Sequence, residues 1–248
     1  VVSIPGTPDD ATLARIEASA KLDFRAVLVA GAPTSTAVGA DGTATPVPQG
    51  TVDPNLSTVP AVAPSNGSDL NWITPALQAQ YEQFDCASEN AQAANTAPED
   101  LPLITCDFTN TVKYLLGPVE VSGSDISDAT ASMVTTSTGA TTGQWAVDLA
   151  FNGKGTKAFG DVTTRLNGLT GSQNQFAIVL DGKVLTAPST NAAITNGNAQ
   201  ITGGFTQASA KTLADQLKYG ALPIGFQVQS SDTISATLGS TQLMSGLL

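Results

Sequence analysis

The sequence contains no histidine, and charged residues make up only 12% of its 248 positions. Without histidine, neither a Ser-His-Asp nor a Cys-His catalytic arrangement can form. The 10 basic residues are outnumbered by 21 acidic ones, which gives a net charge of −11. Proteins that bind nucleic acid through its phosphates present a basic surface, so nucleic acid is excluded as a partner.

Long apolar runs and metal ligands are also scarce. No stretch of about 18 apolar residues is present, so we expect no membrane-spanning helix within this sequence. Its two cysteines, Cys86 and Cys106, are too few ligands for a zinc site. Glycine and lysine occur together at 152–155 and 181–183, but neither segment fits the P-loop pattern, and we interpret both as turns. We therefore predict no metal and no cofactor.

The remaining candidates for catalysis are carboxylates. Asp125 and Asp128 follow a short predicted strand at 119–121. Their spacing is open to an acid–base pair or a Ca²⁺ site, but Asp at such a position more commonly caps or forms a turn, and we favour that interpretation. We find no catalytic residue and predict that the chain is not an enzyme.

The acidic residues are concentrated in one part of the chain. Between Arg25 and Lys113 there is no basic residue, whereas nine of the 21 acidic residues lie there. Within this interval, residues 31–69 are rich in Pro, Ala, Thr, Ser and Gly, and we predict an extended or disordered loop. Residues 70–94 contain several aromatics and favour a short helix. The acidity is open to two interpretations, a solvated surface or a docking surface for a basic partner.

The most regular patterns lie towards the carboxyl end. Strands are predicted at 177–180 and 183–186, separated by Asp181-Gly182, because a type I′ turn requires positive φ at both central residues. A strand at 199–204 precedes a helix that Thr206 caps and that continues to about Tyr219. The residues expected to form its buried face are Ala210, Leu213, Ala214 and Leu217.

Other elements complete a mixed pattern. The predicted strands lie at 1–4, 24–29, 119–121, 145–151 and 224–229, and the predicted helices at 7–20 and 156–166. Thr7 and Pro8 are typical of a helix start. Hairpins alternating with helices predict the α+β class, in which antiparallel sheets have helices packed on one face.

Several segments together resemble one protein family. Residues 176–188 read FAIVLDGKVLTAP, and residues 194–206 read ITNGNAQITGGFT. With LKYGALP at 217–223 and TISATLG at 233–239, they resemble the end of the first extracytoplasmic domain of SecD, the accessory subunit of bacterial protein export. The family usually has Gly-Pro where this chain has Ser235 and Ala236, a departure within the linker.

The resemblance extends towards the amino end. It includes VVSIPG at 1–6, LDFR at 22–25, VEVSGSDISDATASM at 119–133, and residues 144–166. It leaves out mainly residues 31–107, which we call the insert. The chain begins within a predicted strand and ends on the apolar segment 243–248, as expected for a piece of a longer membrane protein.

The resemblance implies a ferredoxin-like base subdomain plus an inserted head subdomain. The first part of the base is expected at 1–116, including the insert. The head is expected at 117–204. Residues 205–248 would then return to the base and form a linker towards a transmembrane helix.

The resemblance also implies a role in protein export. SecD acts with SecF beside the SecYEG channel and uses the proton-motive force to help draw preproteins outward. Its membrane part resembles the resistance–nodulation–division transporters, and its proton-relay residues lie in transmembrane helices outside this chain. The chain is therefore expected on the extracytoplasmic face of the bacterial cell membrane, as part of a multi-pass membrane protein, where its head holds the unfolded preprotein.

Three groups of residues are candidate sites under this interpretation. Ile194, Ile201 and Phe205 are candidate preprotein contacts, with core packing as the alternative. Gly117, Pro118, Gly203 and Gly204 are a candidate hinge between base and head, with ordinary turns as the alternative. Cys86 and Cys106 are expected to pair, because two cysteines outside the cytoplasm usually form a disulfide, with two free structural thiols as the alternative.

Two other functional classes stay open. A secreted adhesin or cell-wall-binding module is favoured by the Thr-, Ser- and Pro-rich stretch. A glycosidase would place two carboxylates in one cleft. Neither alternative explains the long match between residues 176 and 239.

Overall fold

A computed structural model describes residues 21–34, 36–38, 44–46, 52–88, 97–136 and 139–220. Within these residues the strands are β1 Leu22–Gly31, β2 Thr36–Val38, β3 Ala44–Pro46, β4 Leu103–Cys106, β5 Lys113–Ser122, β6 Ile126–Thr135, β7 Thr141–Phe151, β8 Phe176–Leu180, β9 Lys183–Thr186 and β10 Asn198–Phe205. The helices are α1 Pro75–Gln83, α2 Gly153–Leu166 and α3 Gln207–Gly220. Antiparallel sheets combined with helices confirm the predicted α+β class.

The larger sheet has five strands in the order β4-β5-β1-β8-β9. Its two edges approach each other, because Asp107 and Val184 form a parallel bridge and the Phe108 amide donates to the Val184 carbonyl at 3.2 Å. The Thr105 hydroxyl also donates to the Gly182 carbonyl at 2.6 Å. This sheet encloses its own small core, which consists of Val27, Leu103, Leu116, Ala177, Val179 and Val184.

The second sheet has three strands in the order β10-β7-β6 and shares the main core with the first sheet. Four phenylalanines lie at the centre of this core, namely Phe24, Phe151, Phe159 and Phe176. Their contacting rings are 4.9 to 6.1 Å apart between centroids, a separation typical of favourable aromatic pairs. The core therefore joins β1 and β8 of one sheet to β7 and helix α2.

The helices begin where the sequence provides capping groups. The Asn152 side chain accepts from the Gly155 amide at 2.8 Å and caps α2, three residues before the predicted start. The Thr206 hydroxyl accepts from the Ser209 amide at 3.1 Å and caps α3 as predicted. The four predicted residues of its apolar face, Ala210, Leu213, Ala214 and Leu217, are all buried. Both helices are therefore explained by a cap and an apolar stripe.

The predicted hairpin turn is also confirmed. Asp181 and Gly182 have φ values of 49° and 79°, as a type I′ turn requires. The turn joins β8 to β9, and the Asp181 carboxylate accepts from the Lys21 amide at 2.8 Å.

The insert differs from its prediction. Residues 31–69 were expected to be an extended or disordered loop, but they include the paired strands β2 and β3. Residues 52–69 then lead towards α1. Thr74 caps this helix, because its side-chain oxygen accepts from the Leu77 amide at 3.2 Å. The prediction was wrong here because β2 and β3 are too short to show a period, and because side chains such as Asp53 and Asp69 organise turns within residues 52–69.

Besides β2 and β3, two strands had no sequence prediction. β4 is only four residues long, and β6 contains mostly small and polar side chains, so neither has a strong β pattern. Both are strands because they pair along β5 and β7. The predictions for 1–4, 7–20 and 224–229 and the apolar segment 243–248 lie outside the described residues.

Candidate functional site

A cavity of about 490 Å³ lies between β1, β7, β8, β10, helix α2 and the loop that follows β9. Its walls are mainly apolar, with Phe24, Leu149, Phe159, Phe176, Ile178 and Ile201 among the lining residues. Polar side chains lie at Ser189, Thr190, Asn191, Gln200 and Thr202. An apolar interior with a few polar groups is typical of ligand-binding cavities.

The aromatic floor of the cavity is held by mutual packing. The ring of Phe24 lies 5.9 Å from that of Phe176 and 6.1 Å from that of Phe159. The rings of Phe159 and Phe176 are 5.5 Å apart. Each ring restrains the other two, so the floor is preformed rather than assembled by a ligand.

The loop between β9 and β10 forms one wall and is anchored at two points. The Ile194 amide donates to the Thr163 hydroxyl of α2 at 2.9 Å. The Asn174 side-chain amide donates to the carbonyls of Thr190 and Leu166, both at 2.9 Å. Because these bonds reach α2 and its carboxyl-terminal connection, the wall is fixed to the helix.

β10 is the edge strand of its sheet and lies beside the cavity. Within the part of the chain that the structure describes, β10 pairs with β7 alone, and residues 199–202 line the cavity. An irregularity between Thr202 and Phe205 interrupts the pairing where Gly203 and Gly204 lie. Backbone groups on an unpaired edge can accept a further strand.

The three candidate preprotein contacts do not form one exposed patch. Ile201 is only 2% exposed and belongs to the main core, although it faces the cavity. Ile194 is half-buried and also lines the cavity, whereas Phe205 is half-buried opposite Trp145 of β7. Core packing, the alternative from the sequence, therefore holds for Ile201, and preprotein binding at these residues stays a prediction.

The candidate hinge residues lie inside strands. Gly117 and Pro118 belong to β5, and Gly203 and Gly204 belong to β10. The Gly117 carbonyl accepts from the buried Arg25 guanidinium at 3.0 Å. The predicted boundary between residues 116 and 117 thus falls within β5, and both the hinge and the division into base and head stay predictions.

A disulfide joins Cys86, shortly after α1, to Cys106 at the end of β4, with their Cα atoms 5.9 Å apart. Nearby, the buried Lys113 donates from Nζ to the Phe84 carbonyl at 2.8 Å and lies 4.7 Å from the centroid of the Tyr81 ring. Burial lowers the pKa of Lys113 and raises the pKa of Tyr81 to about 12. These contacts fasten the segment around α1 to the five-stranded sheet.

Two of the acidic side chains outside the cavity form ion pairs with lysines. Asp125 and Asp128 form separate ion pairs with Lys154 and Lys218. Within the described ranges, no three His, Cys, Asp or Glu side chains come together as a metal site would require. No helix in these ranges is both long and apolar enough to cross a membrane.

Sequence patterns alone missed the cavity. Phe24, Phe159 and Phe176 are far apart in the chain; the first lies in a predicted strand, the second in a predicted helix and the third just before a predicted strand. Only the tertiary packing shows that their buried faces leave a space between them. The resemblance in segments 176–188 and 194–206 was the available signal, because both segments contribute to the cavity wall.

Comparisons with known proteins agree on one family. Residues 102–224 match the family described as SecDF, P1 head subdomain. The protein translocase subunit SecD of Streptomyces coelicolor is 40% identical over 180 residues, covering 71% of this chain and 31% of that protein. SecD of Mycobacterium tuberculosis H37Rv is 38% identical over 172 residues, covering 68% of this chain and 28% of that protein.

The fold was also compared with solved structures. A structure of SecDF, a membrane component that enhances protein export, matches with a TM-score of 0.44 and 28% identity. The match covers 94% of this chain and 79% of that one. The chain spans about a third of the length of the first curated relatives it matches.

Proposed function

Because this chain belongs to the SecD family of protein translocase subunits, we propose that it is an extracytoplasmic domain that holds unfolded preprotein during export. The observation that carries the proposal is the apolar cavity beside the unpaired edge of β10. An unfolded client supplies what such a site needs, an extended backbone and exposed apolar side chains.

Strand addition explains how one site can hold clients of different sequence. A segment that pairs with β10 forms backbone hydrogen bonds, which do not depend on side-chain identity. Its alternate side chains point to one face of the sheet, and those on the cavity side enter the space lined by Phe159 and Phe176. The volume of about 490 Å³ lies within the range of ordinary ligand pockets.

Weak binding is sufficient for this role. A client held briefly outside the membrane cannot slide back, so repeated capture favours outward movement without sequence specificity. In the full-length protein, SecF and the SecYEG channel would be the partners, and transmembrane helices outside this chain would couple the domain to the proton-motive force. The chain itself would bind and release, without catalysing a reaction.

The alternative of an adhesin or cell-wall-binding module has no support among the comparisons. The relatives reported above are named as translocase subunits, and the family model matches residues 102–224, which include β7, β8 and β10 beside the cavity.

Site-specific photo-crosslinking in the full-length membrane protein tests the proposal. A probe replaces Thr202, which is exposed on β10 and lines the cavity, while a stalled preprotein occupies the channel. The matched control places the probe at Ser127, which is exposed on the other edge strand, β6, away from this cavity. We expect preprotein adducts from residue 202 and none from residue 127; adducts that form elsewhere on the domain but not at residue 202 would refute binding in this cavity.

A further inference from the structure

Residues 65–69 of the insert form a compact turn that its own side chains organise. The Asp69 carboxylate accepts from the amide and the hydroxyl of Ser65, both at 2.8 Å, and from the Asn71 amide at 2.9 Å. The Trp72 indole donates to the Asn66 carbonyl at 2.9 Å. These hydrogen bonds lower the pKa of Asp69 to about 2. The shape of the turn is therefore held by hydrogen bonds between neighbouring residues.

The turn contacts α2 and β5 through one cluster of polar groups. Arg165, in the last turn of α2, donates from Nε to the Ser68 hydroxyl at 2.7 Å. The same guanidinium donates from Nη2 to both carboxylate oxygens of Glu120 on β5, at 2.5 and 2.6 Å. Ser68 is 6% exposed, and burial raises the pKa of Glu120 although Arg165 acts to lower it. The buried Ser68 hydroxyl thus accepts a hydrogen bond from the same guanidinium that pairs α2 with Glu120 of β5.

The backbones also approach so closely that only glycine fits. A Cβ atom added to Gly117 of β5 would lie 1.9 Å from the Gly67 carbonyl oxygen. A Cβ atom added to Gly67 would lie 2.5 Å from Cδ of Glu120, which Arg165 holds in place. The turn therefore sits directly on the strand rather than across a layer of side chains.

The position of the contact matters because β5 and α2 belong to different parts of the fold. β5 lies in the five-stranded sheet and leads into β6 of the three-stranded sheet. α2 follows β7 of the three-stranded sheet and leads back towards β8. At the other end of α2, Asp125 accepts from the side chains of Asn152 and Lys154, both at 3.2 Å. The connection after β5 is thus tied to the amino-terminal end of the helix, and β5 itself to the carboxyl-terminal end through Glu120.

We propose that residues 65–69 act as a latch, which fixes the carboxyl-terminal end of α2 to β5 and so restricts movement between the two sheets. The latch belongs to the insert, the part of the chain outside the sequence resemblance to SecD. The insert accordingly has a mechanical role in this protein. The inference does not depend on preprotein binding, since it concerns only contacts within the chain.

Hydrogen exchange measured by mass spectrometry on the full chain tests the latch. Ser68→Ala removes the hydroxyl that Arg165 contacts, and Gly117→Ala displaces the turn through its backbone. We expect amide exchange at residues 163–167, the end of α2, to become about tenfold faster in both variants, whereas β8 keeps its protection. Ser57→Ala is a matched control in the same insert, where the hydroxyl bonds only within its own turn at 2.9 Å. Gly153→Ala is the glycine control, because its added Cβ would meet no atom within 4 Å.

Faster exchange confined to residues 65–69, with α2 unchanged, would show that the turn is only a surface feature and would overturn the proposal. If Gly117→Ala fails to fold, Ser68→Ala alone decides, because this variant leaves β5 intact. Unchanged exchange at residues 163–167 in Ser68→Ala would then also overturn the proposal. Equal acceleration in the Ser57→Ala control would also contradict it, since any change in the insert would then loosen the helix.

Discussion

Arg25 donates from Nη1 to the carbonyl oxygen of Gly117 at 3.0 Å, although only 1% of its side chain is exposed. The same nitrogen donates to the Leu101 carbonyl at 2.8 Å, and Nη2 lies 3.8 Å from the Asp23 carboxylate. A buried guanidinium therefore occupies a place where β1 and β5 pair irregularly, since their register shifts on both sides of Arg25.

Replacement of Arg25 is expected to be strongly destabilising. Arg25→Met keeps most of the volume but removes the buried partner of Asp23, which keeps only the half-exposed Lys21 at 3.5 Å, and the donor to the Gly117 carbonyl. Breaking a buried pair costs about 3–5 kcal/mol of the free energy of unfolding, and the remaining contact with Lys21 places the expected loss at the lower end, about 3 kcal/mol. Denaturant titration measures the loss, with Lys157→Met as a control, because Lys157 is 79% exposed in its ion pair with Asp161. A loss equal to that of the control would show that Arg25 contributes only its volume.

Asp69 is expected to make the unfolding free energy of the chain depend on pH under acidic conditions. Its pKa lies at about 2 in the folded chain against an ordinary value of 3.8, because amide and hydroxyl groups donate to the carboxylate. A lowered folded pKa contributes stability above 3.8 that is lost as the pH falls towards 2. The difference in unfolding free energy between the native chain and Asp69→Asn should therefore shrink across this window.

The measurement compares the unfolding free energies of the two proteins at a series of pH values. Burial raises the pKa values of Asp23 and Glu120, so their contributions to stability change with pH in the opposite direction. Because both proteins contain these two residues, their contributions cancel in the difference. A difference that does not vary with pH would contradict the role of the Asp69 carboxylate.

The disulfide is expected to stabilise the fold by lowering the conformational entropy of the unfolded chain. Cys86 and Cys106 are 20 positions apart, and closing a loop of that length contributes about 3 kcal/mol in the chain-entropy model. A reducing agent should lower the denaturant midpoint of the native chain. The double variant Cys86→Ala and Cys106→Ala should begin at the lower midpoint and not respond to the reductant. Identical midpoints with and without reductant in the native chain would argue against the bond in solution.

Sequence patterns predict the elements that local chemistry determines. Asp181-Gly182 indicates its turn because few residues adopt positive φ, and the apolar face of α3 follows from helical spacing alone. The resemblance to SecD supplied the family and so the direction of the functional proposal.

Tertiary contacts between distant residues account for the features that sequence patterns missed. Ser68 and Arg165 are 97 positions apart, and neither side chain alone indicates the other. β6 has few strongly β-forming residues and is a strand because β7 pairs with it. The cavity is likewise a space left between elements, so no single segment of the sequence encodes it.

The affinity of the full-length protein in lipid nanodiscs for a fluorescent unfolded polypeptide tests preprotein holding most directly. Ala199→Phe fills space in the cavity from β10, and Ala208→Phe adds the same ring to an exposed position of α3 as a matched control. If the cavity holds the client, the first variant should weaken the Kd about tenfold, equivalent to about 1.4 kcal/mol, and the second should leave it unchanged. Equal Kd values for the native protein and Ala199→Phe would contradict client binding in this cavity.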